Sequence, residues 1–224
     1  MAGAGLMQLD VVSDTVCPWC YIGKRRLELA IADKPVDFQI RWRPYQLDPS
    51  IPEGGMDRGE YLERKFGPDR ARGAGQRIRE EAASVGLTFN FDKIARAPNT
   101  LDSHRLLRWA DTAGCQNDMA EILFRRYFVD AEDIGNHAVL LSAAAEAGMD
   151  TGIVGDLLAS GADRELVQRE IEFAREMGVT GVPTTIVYSK WMIVGAQAPE
   201  TISLMLDKMM AREAQIQAEA QQQQ

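Results

Sequence analysis

Cysteine and histidine are scarce in this chain, with three and two among 224 residues. Three cysteines exclude a disulfide scaffold, and two histidines leave little material for a metal centre. No apolar run approaches the roughly 18 residues of a membrane span. Lys and Arg are outnumbered 25 to 33 by Asp and Glu, giving a net charge of −8. A surface built for nucleic acid needs the opposite excess, so nucleic acid is not expected as a partner. The basic cluster Arg70, Arg72, Arg77 and Arg79 is interleaved with Asp69, Glu80 and Glu81 and reads as a solvated helix face. The first residues, "MAGAGLMQLDVV", hold no Lys or Arg before Lys24 and no continuous apolar core. They do not read as a signal peptide, and the expected location is the cytosol. There, a close cysteine pair is catalytic, redox-sensing or metal-binding rather than structural.

Cys17 and Cys20 form such a pair, in "SDTVCPWCYIGKRRLELA" (13–30). "LDVVSD" (9–14) reads as a short apolar strand. Behind it, Cys20, Gly23, Leu27, Ala30 and Ile31 recur at helical spacing, with Lys24, Arg25 and Glu28 pointing elsewhere. Cys17 falls at the start of that helix, so the two sulfurs are expected to be unequal, Cys17 exposed and Cys20 shielded. "VDFQIRWR" (36–43) alternates strictly and predicts a half-buried strand, parallel to the first and near a sheet edge.

The proline-rich "RPYQLDPSIPEGG" (43–55) is a loop. From about Asp57 to Met177 the spacing is helical with almost no strand signal, with starts near Asp57, Pro68, Thr100, Gln116, Asn136 and Asp163. Leu106, Leu107, Trp109, Ile122, Phe124, Tyr127, Leu140 and Leu141 are their expected shared core. Strand character returns in "TTIVYS" (184–189) and "MIVG" (192–195), joined by a turn around Lys190. A helix then opens at Pro199 and runs to about Arg212. The polar "QIQAEAQQQQ" suggests a disordered tail over 213–224. The layout is β-α-β, a helical block, then β-β-α. The fold class is α/β, with residues 7–56 and 178–212 forming one domain interrupted by an all-helical insertion over 57–177.

A thiolate at a helix N-terminus meets unpaired N–H groups and the positive end of the helix dipole, which favour the anion. The thiol of Cys17 is therefore expected to titrate below its ordinary range. Cys17 suits attack on a disulfide, and Cys20, one turn along, suits resolution of the mixed disulfide. Pro18 fits the first turn, and Trp19 offers an aromatic surface to a substrate. No histidine lies between the cysteines to add stabilisation. A zinc site would need two more ligands, and Cys115, His104 and His137 form no ligand pattern, so no metal is expected. A passive pair of core cysteines is the remaining alternative. In "GVTGVPTTIV" (178–187), Pro183 must open a strand or lie at its edge. If Val182–Pro183 is cis, the preceding backbone can pair with an extended peptide; a trans proline would merely end the helical block.

These motifs together resemble the thioredoxin superfamily, and the helical insertion resembles its DsbA-like branch. "PNTLDSHRLLRWA" (98–110), "LFRRYFVDAEDIGN" (123–136), "GVTGVPT" (178–184) and "VGAQAPE" (194–200) are similar to the FrnE-like group. The resemblance, over about 7–212, implies a thioredoxin-like fold and dithiol–disulfide oxidoreductase activity. Cys17 would attack, Cys20 resolve, Pro183 face them as a cis-proline, and the Val182 backbone pair with substrate. Some FrnE-like proteins carry a second, C-terminal cysteine pair; no cysteine follows Cys115 here.

Asn99 and His104 lie in the resembling stretch and are candidates to line a substrate cleft. The plainer reading has Asn99 capping a helix and His104 satisfied in the core. His137, at a helix start, and Cys115, at a turn, read as structural or incidental. The expected partners are protein or small-molecule thiols and disulfides. Beyond the cysteine pair no cofactor is implied, though glutathione could serve as co-substrate. The oligomeric state is left open, a dimer included. The competing function is a glutathione-dependent isomerase or transferase, of the 2-hydroxychromene-2-carboxylate isomerase or kappa type. Those proteins share the fold but commonly carry Ser where Cys17 stands, so keeping both cysteines argues for redox exchange.

Overall fold

A computed structural model describes residues 6–67 and 75–222. Strand β1 (Met7–Ser13) leads through the cysteine turn into helix α1 (Pro18–Ile31) and then strand β2 (Phe38–Pro44). β1 and β2 pair in parallel, from Met7 opposite Phe38 to Ser13 opposite Pro44. After the intervening segment, β5 (Thr184–Val187) and β6 (Trp191–Val194) complete a four-stranded sheet in the order β2-β1-β5-β6. β5 runs antiparallel to β1, with Val12 opposite Thr184. The alternation in "VDFQIRWR" thus corresponds to a true edge strand, half-buried on one face with Trp42 sealed at its end. The β5–β6 turn puts Tyr188 and Ser189 at positive φ, 53° and 55°. That is the geometry of a primed hairpin turn, achieved here without glycine.

Between β2 and β5 lie helices α2 (Arg58–Phe66), α3 (Gly75–Ala83), α4 (Leu101–Thr112), α5 (Gln116–Phe128), α6 (His137–Glu146), α7 (Thr151–Ser160) and α8 (Arg164–Glu176). Asp57, Asn136 and Asp150 cap α2, α6 and α7 by accepting backbone N–H bonds. The expected start at Pro68 lies outside the described residues, as do Asp69, Arg70 and Arg72. The segment is not purely helical. β3 (Met56–Asp57) and β4 (Arg96–Ala97) form a two-stranded antiparallel ribbon, and a 3₁₀ turn covers Phe91–Lys93. Strands of two residues are too short to leave a period in the sequence.

The core is continuous from the sheet into the insertion. One cluster holds Leu9, Val11, Ile22 and Leu27 together with Leu106, Phe124, Phe128 and Leu140. Of the expected insertion core, only Leu141 is half-buried rather than buried. Tyr21 on α1 stacks on Phe124, with ring centroids 5.1 Å apart, and its hydroxyl donates to Glu121 at 2.7 Å. Lys24, expected to face away from the core, is buried at 4 % exposure. Its ammonium pairs with Glu28 and lies 2.9 Å from Glu121. An ammonium removed from water must be paired, and the two carboxylates make burial tolerable.

The last helix, α9 (Pro199–Gln222), packs against α1. It runs ten residues past its expected end, through most of the segment expected to be disordered. Ala, Glu and Gln are good helix formers, and Glu213 is held by Lys190 at 2.7 and 2.9 Å. That tie comes from the β5–β6 turn, so local composition gave no sign of it. Of the helix face expected to be solvated, Arg77, Arg79 and Glu80 are exposed, while half-buried Glu81 pairs with Arg26 on α1 and the Arg77 guanidinium lies 5.9 Å from the Trp19 ring centroid.

Candidate active site at the cysteine turn

Cys17 is the N-cap of α1, with extended backbone (φ −89°, ψ 113°) and Pro18 opening the first turn. Its N–H donates to Asp14 O at 3.0 Å, and its carbonyl accepts from Cys20 N at 3.0 Å. The sulfur is therefore carried at the N-terminal end of α1, towards the positive end of the helix dipole. The Val182–Pro183 bond is cis, and the Cys17 thiol lies 3.7 Å from Val182 O. Cys17, expected to be exposed, is buried at 4 %, and Cys20 is fully buried. The loop before β5 reaches across the turn, which sequence spacing could not show.

The two thiols are free and remain unequal in a different sense. Burial pushes the Cys20 thiol well above its ordinary range, and the hydrogen-bonded Cys17 sulfur pushes it the same way. Cys115, the N-cap of α5, is also raised, by burial and by the charge of Asp118.

Gly23 makes the approach of Pro183 possible. A Cβ at Gly23 would lie 2.8 Å from Pro183 Cγ. The hairpin then fixes the loop: Gly195 N donates to Pro183 O at 2.8 Å, and Thr184 Oγ1 donates to Gly181 O at 2.8 Å. Helical periodicity assigned Gly23 only to the inner stripe of α1; its steric role depends on a loop 160 residues later in the chain.

The structure thus brings Cys17, Pro18, Cys20, Val182 and Pro183 together. Trp19 is half-buried under Arg77. Asn99 precedes α4 and its N-cap Thr100, and His104 lies in the first turn of that helix. Asn99 accepts from Leu101 N and Gln46 Nε2 at 3.0 and 3.1 Å and donates to Ile51 O at 2.7 Å. It fastens the loop after β2 to the head of α4. His104 is buried, its Nε2 2.9 Å from Tyr45 O and 3.5 Å from Asp14 Oδ1.

Sequence reasoning passed over Asp14. It is 1 % exposed, and its Oδ2 accepts Leu47 N at 2.7 Å. Next to it, Thr15 Oγ1 lies 2.8 Å from Ser103 Oγ. The insertion therefore grips the segment that precedes the cysteines. A carboxylate three residues before a cysteine at a strand end was the available signal.

Among the described residues there is no group of three or more His, Cys, Asp or Glu placed to hold a metal ion, and no helix is long and apolar enough to cross a membrane. His137 pairs with Asp102 at 2.8 Å. A cavity of about 250 Å³ opens beside the turn, bounded by Val16 and Pro18 on one side and by α2 and α5 on the other.

The chain resembles solved structures over nearly its whole length. A probable DsbA oxidoreductase from Streptomyces coelicolor is 28 % identical, with a TM-score of 0.84 over 92 % of this chain and 90 % of that one. Two others share the fold at lower identity. One is 2-hydroxychromene-2-carboxylate isomerase (17 %, TM-score 0.68, 95 % and 98 % covered). The other is the cytosolic disulfide reductase DsbM from Pseudomonas aeruginosa, solved with GSH (19 %, TM-score 0.62, 91 % and 99 % covered). The model of the DSBA-like thioredoxin domain matches residues 8–207, and the chain belongs to that family.

Proposed function

We propose that this protein is a dithiol–disulfide oxidoreductase that exchanges through Cys17 and Cys20. The observation that carries the reading is the asymmetry of the pair. One sulfur sits at a helix N-terminus against Val182 O, and the other lies behind it, sealed and held protonated by its surroundings.

In the reducing direction the Cys17 thiolate attacks a substrate disulfide, and the distal sulfur leaves as a thiolate. Cys20 then gives up its proton and attacks the Cys17 sulfur of the mixed disulfide. The protein disulfide closes and the second substrate thiolate departs. Two electrons pass from the dithiol to the substrate, so the sulfurs themselves carry the redox change. The oxidising direction is the reverse. The Val182 backbone serves as the edge against which an extended substrate segment lies, and Pro18 and Trp19 border it. Asn99 and His104 act at one remove: Asn99 holds the loop after β2, and His104 backs the segment before Cys17.

The substrates are thiols and disulfides of proteins or small molecules, with glutathione as a co-substrate. The cytosolic, glutathione-bound setting of DsbM agrees with that. The cytosol is the proposed location. The likeness to the isomerase favours a second reading, in which the site holds the glutathione thiolate without exchanging it. A second sulfur immediately behind Cys17 has no part in that chemistry and favours exchange.

The test is entrapment. Cys20→Ser incubated with oxidised glutathione should accumulate one glutathione on Cys17, read by mass spectrometry, and dithiothreitol should release it. A variant that stays unmodified while the wild type still binds glutathione would replace exchange by the isomerase or transferase reading.

A further inference from the structure

The exchange chemistry does not use the cavity beside the cysteine turn. At about 250 Å³ it has room for one ring or branched aliphatic group; an apolar cavity of about 150 Å³ accepts benzene. Its walls are aromatic and aliphatic, with Tyr61, Phe66, Phe91 and Phe128 across from Pro18 and Leu47. Among the described residues its charged lining is Arg58, Lys65, Arg79 and a single carboxylate, Asp92. Asp92 is engaged by Arg79 at 3.0 and 3.1 Å. In a chain of net charge −8, a cationic excess around an apolar cavity runs against the composition.

Those cations are held against rings. The guanidinium carbons of Arg58 and Arg79 lie 5.4 and 5.3 Å from the centroid of Phe91, and Arg58 Nη1 donates to Phe91 O at 3.3 Å. Lys65 Nζ lies 5.2 Å from the Tyr61 centroid and 5.9 Å from that of Phe66, and donates to the Tyr61 hydroxyl at 2.7 Å. Cations fixed in this way lose less rotamer freedom on meeting an anion, and partly apolar surroundings strengthen the attraction.

We propose that this cavity seats the body of a small acid: one ring or branched apolar group bearing a carboxylate, on the thiol or disulfide that Cys17 engages. The sulfur chemistry rests on the exchange reading; the seat itself does not. Val16 and Pro18, which border the cavity, are the chain neighbours of Cys17, and successive Cα atoms are about 3.8 Å apart. A ligand lodged there lies against the residues on either side of Cys17, and its sulfur must reach out of the cavity to meet the Cys17 thiol. For a disulfide ligand, Cys17 takes the sulfur of the seated half and the other half leaves as a thiolate. Closure of the Cys17–Cys20 bond then expels the seated half as the second thiolate. An unfolded polypeptide would call for an extended groove, whereas a single ring-sized seat selects a small molecule.

The test uses the reduced full-length protein and 3-phenylpropanoate, which has the ring and the carboxylate but no sulfur. Titration calorimetry should show saturable binding with a Kd of about 1 mM or tighter. The uncharged 3-phenylpropanamide and the ringless propanoate should each bind at least about fivefold more weakly. Lys65→Glu and Phe66→Ala, both at exposed positions, should weaken the acid to a similar degree with unchanged Tm. Lys65→Glu should also slow reaction with 5,5′-dithiobis(2-nitrobenzoate), a ring disulfide bearing carboxylates, more than with the uncharged 4,4′-dithiodipyridine. Equal binding of acid and amide, acid binding untouched by Lys65→Glu, or no saturable binding would each overturn the proposal. Because the calorimetric probe has no sulfur, it binds or fails to bind whether or not the cysteines cycle, so the seat and the exchange reading fail separately.

Discussion

Gly23 and Pro183 meet where no side chain can stand between them: a Cβ on Gly23 would come within 2.8 Å of the Pro183 ring. The contact locks the loop before β5 onto the first turns of α1 and sets the distance from Val182 O to the Cys17 sulfur. Gly23→Ala must displace Pro183 or the helix. Overpacking of this kind costs about 1–3 kcal/mol, and displacing a reacting geometry costs about tenfold or more in rate. The expected result is a folded variant of lower Tm whose reaction with oxidised glutathione is slowed by that factor. An unchanged rate would mean that the loop plays no part in the exchange.

The thiols should be distinguishable by alkylation. Cys20 is fully enclosed and pushed towards its protonated form, so it should react with iodoacetamide only when the chain unfolds. Cys17 should be modified first in the native protein. Cys115, more open but raised by burial and Asp118, should react more readily as the pH rises. Peptide mapping after timed labelling reads all three. Labelling of Cys20 ahead of Cys17 would reverse the assigned roles.

Much of this arrangement could be read from the sequence, for identifiable reasons. The strand–helix placement of Cys17 and Cys20 follows from local spacing, and so does the edge character of β2. The hairpin at Lys190 and the position of Pro183 are local signals too. The burial of Cys17 is not local: it comes from Val182, 165 residues away in the chain. Lys24 looked like a surface residue because its partner Glu121 lies on α5. The length of α9 and the clasp of Arg77 over Trp19 are likewise set by contacts between distant segments. The cavity was illegible for the same reason, being assembled from the cysteine turn, the loop after β2 and several insertion elements.

The α1–α5 junction should make stability fall in acid. Burial opposes ionisation of Glu121, but hydrogen bonds from Lys24 and Tyr21 and the charges of Lys24 and Arg25 outweigh it, holding the carboxyl below its usual range. A carboxyl lowered on folding stabilises the native state above its unfolded value, about 4.3. That contribution is lost as the pH falls through the lower folded value. Tm measured from about pH 7 down to about pH 3 should therefore drop less steeply for Glu121→Gln than for the wild type. The variant's Tm at neutral pH should be lower, because Lys24 loses one of its two carboxylate partners. Parallel curves would remove Glu121 from the acid response.

If Cys17 and Cys20 exchange as proposed, they form one two-electron couple. The direct measurement equilibrates the protein in graded glutathione buffers, quenches it in acid, and counts free Cys17 and Cys20 by mass spectrometry. One transition is expected, in which both cysteines change state together. A midpoint of about −270 mV would mark a reductant and one of about −120 mV an oxidant. Cysteines that stay free across the whole range, or that titrate independently, would contradict it.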